Sequence, residues 1–200
     1  MQSAKAQEIF FFLGKNSTSY SYKSTNGSDV NLDFRNGFGN HFEVGYETTL
    51  KNNRYAYSVG LVYDEFNADA SNYATNYSWE TRYIGIINKM SYNLSKITPD
   101  WCYAMNINTF LNIGFSTATM FSGTQYINNY YYDLTAQDDF SGVLLQPFIG
   151  LKTQYTVSRN FKISLGYNIS KTFSILSKGS GKLSYINNQF QLGFQVSLLR

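Results

Sequence analysis

The chain has 200 residues, few charges (14% Asp, Glu, Lys and Arg), many aromatics (18%, with 18 Tyr and 16 Phe), a net charge of +3 and a mean hydropathy of −0.31. That length suits one domain, 1–200, and the scattered basic residues give no footprint for nucleic acid. A single cysteine, Cys102, excludes an internal disulfide framework and any multi-cysteine metal site, and reads as a small buried or outward apolar side chain. The longest apolar runs, such as Ile9–Leu13, fall far short of the roughly 20 residues a membrane helix requires.

From the start of the chain, Ala4-Lys5-Ala6 before Gln7 has the small-x-small form of a signal-peptidase site, so residues 1–7 are expected to be the remnant of a targeting segment. Glu8–Tyr22 is expected to form a strand, although Ile9 to Leu13 is apolar on both faces. Clean alternation begins with Phe38–Leu50: Phe42, Val44, Tyr46, Thr48 and Leu50 oppose His41, Glu43, Gly45, Glu47 and Thr49. Next, Tyr55, Tyr57, Val59, Leu61 and Tyr63 oppose Ala56, Ser58, Gly60 and Val62. Glu80–Tyr92 directs Ile84, Ile86, Met90 and Tyr92 to one side, with Asn88 out of character among them. Ile107, Leu111, Ile113 and Phe115 then oppose Asn108, Asn112 and Gly114. The run from Val143 to Tyr155 contains Pro147, which removes a ladder donor and predicts a bulge. Phe161–Ser170 and Gln189–Leu198 repeat the alternation.

The connections alternate in length. Short ones are expected at Lys51–Asn53, near Asn93–Asp100 and at Thr156–Asn160; long ones near Lys23–Gly37, Asn67–Ser78, Thr117–Asp139 and Thr172–Ser184. An up-and-down meander with all long loops at one end is the arrangement of an outer-membrane barrel. The fold expected is therefore all-β, a transmembrane up-and-down antiparallel β-barrel of about eight strands. The polar face supports that choice, being rich in Gly, Ser, Asn and Gln where a water-facing surface carries far more Lys and Glu. His41, Glu43, Glu47, Lys89, Lys152 and Lys162 then become an interior polar network that must pair to be tolerated. Tyr55, Tyr63, Tyr92, Trp101, Tyr155 and Tyr167 suit aromatic girdles. A soluble lipid-binding barrel with inverted faces is the competing architecture.

Three stretches carry a family resemblance. Tyr83-Ile84-Gly85-Ile86-Ile87-Asn88-Lys89-Met90-Ser91-Tyr92 looks like the strand pattern Tyr-Leu-Glu-Ile-Pro-Leu-Leu-Leu-Lys-Tyr, with Gly85 and Ile87 in place of the Glu and Pro. Phe148 to Tyr167, around Val157-Ser158-Arg159-Asn160, looks like a penultimate hairpin. Asn188 to Leu198, with Gln191-x-Gly193-x-x-Val196-x-Leu198, looks like a closing strand bearing the signal read by the barrel-assembly machinery, with Val196 and Leu198 where aromatics usually stand. Together they resemble the small outer-membrane β-barrel family abundant in Bacteroidota, akin to OmpX/OmpA-like eight-stranded barrels. The resemblance implies a fold and an outer-membrane location; function has to come from a site.

His41, the only histidine, shares a face with Glu43. It is the one candidate for an enzyme acting on lipid A; the alternative is an interior polar pair. Asp64-Glu65, Asp69 and Asp138-Asp139 read as solvated rim charges, lacking the spacing of a calcium loop. Tyr126, Tyr130, Tyr131 and Tyr132, with Tyr73, Tyr77 and Trp79, form a Tyr/Asn-rich set suited to binding a partner, or to a girdle with loop self-packing. The expectation is a non-enzymatic outer-membrane protein with a structural or interaction role. It would face outer-membrane lipids and other envelope proteins, presenting loops at the cell surface or serving as an accessory subunit, and it would need no metal or cofactor.

Overall fold

The computed structural model describes residues 7–23, 33–50, 54–72, 75–95, 106–128, 130–135, 142–175 and 182–198. All of its regular structure is β. The strands are β1 (Gln7–Lys23), β2 (Asp33–Thr49), β3 (Tyr55–Asn72), β4 (Thr75–Asn93), β5 (Ile107–Ile127), β6 (Tyr130–Asp133), β7 (Val143–Thr156), β8 (Phe161–Ile175) and β9 (Lys182–Ser197). Every neighbouring pair is antiparallel. The order β4-β3-β2-β1-β9-β8-β7-β5 closes through a β4–β5 pairing, and β6 folds back along the tip of β5. Eight staves make the barrel; β6 is an extension of one of them.

The alternation in the sequence becomes the two faces of this wall. Phe42, Val44, Leu61, Ile84, Ile86, Ile113, Ile149, Leu165 and Leu192 point outward into an exposed belt. Ser58, Asn112, Gln146, Gln154, Asn168, Gln189 and Gln195 point inward and are buried. An apolar face turned outward on every stave cannot stand in water as a monomer, whereas in a bilayer it stabilises the fold. The soluble barrel with inverted faces is thereby excluded.

The anomalies of the sequence each find a physical reason. Phe10 and Phe12 face inward, each lying across from a glycine of the next strand: Phe10 pairs with Gly45 and Phe12 with Gly193. A Cβ on Gly45 would come 2.6 Å from the Phe10 ring, and one on Gly193 would come 2.2 Å from the Phe12 ring. Those glycines are sockets, so a run apolar on both faces fits one strand. Asn88 does face outward, where it accepts a hydrogen bond from the Tyr57 hydroxyl at 2.8 Å.

Other expectations are corrected. Pro147 makes no bulge: register with β5 and β8 is kept across it, and pairing with β8 lapses at Gln146 and Pro147 only. Register does shift in β2 between Asn36 and His41, and in the β4–β5 pairing at Arg82/Tyr83. The long loop expected at Asn67–Ser78 is mostly strand, since β3 runs to Asn72 and β4 resumes at Thr75. The loop expected from Thr117 is strand to Ile127 followed by β6. At the opposite end β4 runs to Asn93 and β5 from Ile107, and residues 96–105 between them lie outside the described residues. Ala4–Ala6, Tyr73, Trp101, Cys102, Asp138 and Asp139 lie outside the described residues.

Two outcomes are expected. The protein should leave the membrane fraction only in detergent, and its unboiled form should migrate differently from its boiled form on a gel. Leu61→Arg, in the middle of the belt between Val44 and Ile86, should destabilise the barrel by about 2–4 kcal/mol in reversible unfolding from lipid vesicles.

Candidate functional site

The interior is organised in tiers. Nearest the chain termini, Lys162 Nζ donates to Glu8 Oε1, and the Ser197 hydroxyl donates to the same oxygen at 3.2 Å. Lys152 Nζ and Ser58 Oγ meet Glu47 Oε2 at 3.2 and 2.8 Å, Gln195 Nε2 donates to Glu47 Oε1 at 3.2 Å, and Gln154 donates to Gln195. Above them Lys89 Nζ lies 2.5 Å from Glu43 Oε1 and 4.4 Å from the ring centroids of both Phe10 and Phe12. Each ammonium thus has a carboxylate, and Lys89 also has two ring faces, which is what burial of a charge demands.

His41 sits in the next tier, 1% exposed. Its Nδ1 donates to Asp64 Oδ1 at 2.7 Å, and Nε2 receives the Gln191 amide at 3.0 Å. Glu43 Oε2 is 3.7 Å from the same nitrogen. Asp64 also accepts from Asn16 Nδ2 at 2.9 Å, and Asn16 Oδ1 in turn accepts from Asn187 and Gln189. With both ring nitrogens engaged inside the wall, the imidazole has no free edge toward the lipid-facing surface.

An aromatic plug closes the far end. Tyr20, Phe66, Tyr83 and Tyr185 are buried together with Leu144, and Trp79 and Met120 pack against them. Tyr20 stacks on Tyr185 with centroids 5.0 Å apart and on Trp79 at 6.5 Å, while the Tyr20 hydroxyl donates to Phe66 O at 3.1 Å. Among the described residues no group of three His, Cys, Asp or Glu side chains is arranged to hold a metal ion.

Beyond the plug the hairpin of β5 and β6 projects. Its register places Tyr132 opposite Gln125, Tyr131 opposite Tyr126, and Tyr130 opposite Ile127, with Asn128 in the left-handed conformation at φ 47° in the turn. Tyr130 and Tyr131 are 72% and 63% exposed, and Tyr132 and Tyr126 are also exposed. Tyr126 and Tyr131 meet edge to face at 6.0 Å. Behind them Leu134 is wholly buried, its backbone N–H donating to Gly123 O at 3.0 Å, so the hairpin is tied down at its base. Asp133 Oδ1 accepts from the Thr135 N–H and hydroxyl at 2.8 and 2.7 Å; these donors hold the exposed carboxyl below the usual carboxylate range.

The structure directs His41, Glu43, Glu47, Lys89 and Lys152 into the interior, with Lys162 half-buried at its edge. His41 meets Asp64 of β3, directly across the strand pair, at 2.7 Å, in addition to Glu43 at 3.7 Å. Asp64 is no rim charge; it continues the inward series Ala56, Ser58, Gly60, Val62, a signal available had the strand been extended past Tyr63. Glu8, by the same parity as Phe10 and Phe12, is the other missed carboxylate. Glu65 faces outward and is partnered, 3.5 Å from Arg82 Nε, with Asn40 and Tyr63 also donating to it. Trp79 and Tyr77 stack on one another at 5.7 Å, and Trp79 belongs to the plug rather than to an exposed loop.

No family model matches the sequence, and no curated protein matches it. Among solved structures the chain is similar to the outer membrane protein OprG from Pseudomonas aeruginosa, at 13% identity and a TM-score of 0.52, with 100% of each chain covered. The fold is that of an outer-membrane β-barrel. Also similar are the outer membrane protease OmpT from Escherichia coli, at 9% identity and TM-score 0.49 over 96% of this chain and 97% of that one, and Neisserial surface protein A, at 13% identity and TM-score 0.45 over 94% and 97%.

Removing one member of a buried pair should cost far more than removing both. Glu43→Ala, which strands Lys89, is expected to destabilise the barrel by about 3–5 kcal/mol in denaturant unfolding, and Glu43→Leu with Lys89→Met to recover most of that loss. A double variant that loses the sum of the Glu43→Leu and Lys89→Met losses measured singly would show that the pair is not coupled.

Proposed function

We propose that this chain is a non-enzymatic outer-membrane barrel of the Bacteroidota type, working as an interaction module that offers its Tyr-rich hairpin to another envelope protein. The observation that carries this reading is the exposed row Tyr130, Tyr131 and Tyr132 on a hairpin anchored by the buried Leu134. Rigid amphipathic rings held out on a tethered hairpin form a contact surface at low conformational-entropy cost. Two features argue against other roles. An eight-stranded barrel is just wide enough for side chains to fill, and this one is filled by ion pairs and an aromatic plug, leaving no room for a wide channel. The sole histidine is enclosed, away from any lipid a lipid A-modifying enzyme would have to reach.

The test is site-specific photo-crosslinking from position 131 in intact cells, with Leu61 as the lipid-facing control. A discrete protein adduct from position 131 and none from 61 is the expected result, and replacing Tyr130, Tyr131 and Tyr132 by Ala should weaken the purified pair roughly a hundredfold. Lipid adducts alone at position 131 would overturn the reading. A lipid A mass profile that changes on His41→Ala would favour the enzyme instead.

A further inference from the structure

Above the apolar belt the outward face of β2, β3, β4 and β5 changes character within one wall. On β3 and β4 the last apolar pair is Tyr63 and Ile84; then come Glu65 opposite Arg82, Asn67 opposite Glu80, and Asp69 opposite Ser78. The row at Asp69 extends across four strands, because Arg35 is the cross-strand partner of Asp69 and Tyr126 that of Ser78. Directly opposite residues project from the same face, so Arg35, Asp69, Ser78 and Tyr126 stand side by side on the outside of the barrel. With Ser71 and Asn76 one row higher, and with Ala70, Tyr77 and Asn128 beside them, they line a cavity of about 520 Å³.

We infer that this cavity binds the sugar headgroup of an outer-leaflet glycolipid. Its lining pairs planar groups that hydrogen-bond through two atoms, the Arg35 guanidinium, Asp69 carboxylate and Asn76 amide, with the hydroxyls of Ser71 and Ser78 and the ring of Tyr126. Neighbouring hydroxyls on a sugar ring present donor and acceptor together, which such groups satisfy, while an aromatic ring covers the ring's apolar face. The position selects the source. Six steps of strand lead from Tyr63 to Asp69, about 20 Å along the strand and about 15 Å above Tyr63 once the tilt is allowed for. The row Arg35, Asp69, Ser78 and Tyr126 stands on the outer side of the wall that lower down meets acyl chains. Its neighbour is therefore the headgroup of a lipid standing against Leu61, Tyr63 and Ile84. The site adjoins the hairpin, sharing Tyr126, whose ring meets Tyr131 edge to face, but its lining does not include Tyr130–Tyr132 and it stands whether or not they have a partner.

The test uses the whole protein in phosphatidylcholine nanodiscs, titrated with lipopolysaccharide carrying its complete core sugars and, separately, with lipid A lacking them, the bound lipid counted by native mass spectrometry. The core-bearing lipid should bind about tenfold more tightly, and Arg35→Ala with Tyr126→Ala should abolish that preference while leaving heat-modifiable migration intact. Equal affinity for the two lipids, a preference that survives in the variant, or soluble core oligosaccharide binding as tightly as the whole glycolipid would each overturn the assignment.

Discussion

Acyl chains offer no hydrogen bonds, so every backbone N–H and C=O between the two rims has to find its partner inside the protein. Closure of the ladder through β4 and β5 meets that demand, and the rest of the molecule follows from it. A closed wall of eight staves has an interior just wide enough for side chains to fill and an apolar exterior that lipid covers. Successive residues of each strand consequently face opposite solvents, and neither side tolerates the chemistry of the other.

That constraint explains which parts of the chain could be read directly. Where a strand crosses the hydrocarbon, as in Phe42–Tyr46 or Tyr57–Tyr63, the two faces differ sharply and the sequence states them. Above the belt both faces are polar or aromatic, and the signal vanishes. Thus Asn67–Asn72 and Thr117–Ile127 read as loops although the ladder continues through them. The same loss hid Asp64: its parity was legible, but its strand was cut one residue short. Pairing between strands that are not neighbours is a matter of register and shear, which alternation does not encode, so Lys89 with Glu43 and Lys152 with Glu47 emerge only from the structure.

Inside and outside also divide the labour between rigidity and recognition. The ion pairs and the plug fill the lumen and hold the staves in one register, while groups able to meet other molecules are displaced to the rim and the outer wall. Fold alone would not have located them, because the barrel architecture fixes a location and little else.

The pairing scheme of the interior bears on how the barrel can be assembled. Glu47 on β2 is joined to Lys152 on β7 and to Gln195 on β9, Glu8 on β1 to Lys162 on β8, and His41 on β2 to Gln191 on β9. Most of these partners come from opposite ends of the chain, so a growing sheet of the first four strands would carry Glu8 and Glu47 without counter-ions. Such an intermediate pays for each unmatched carboxylate in a membrane, which penalises stopping part-way. The charges in the lumen thus favour the complete cylinder: a barrel missing its last strands, or closed in a slipped register, keeps unmatched charges.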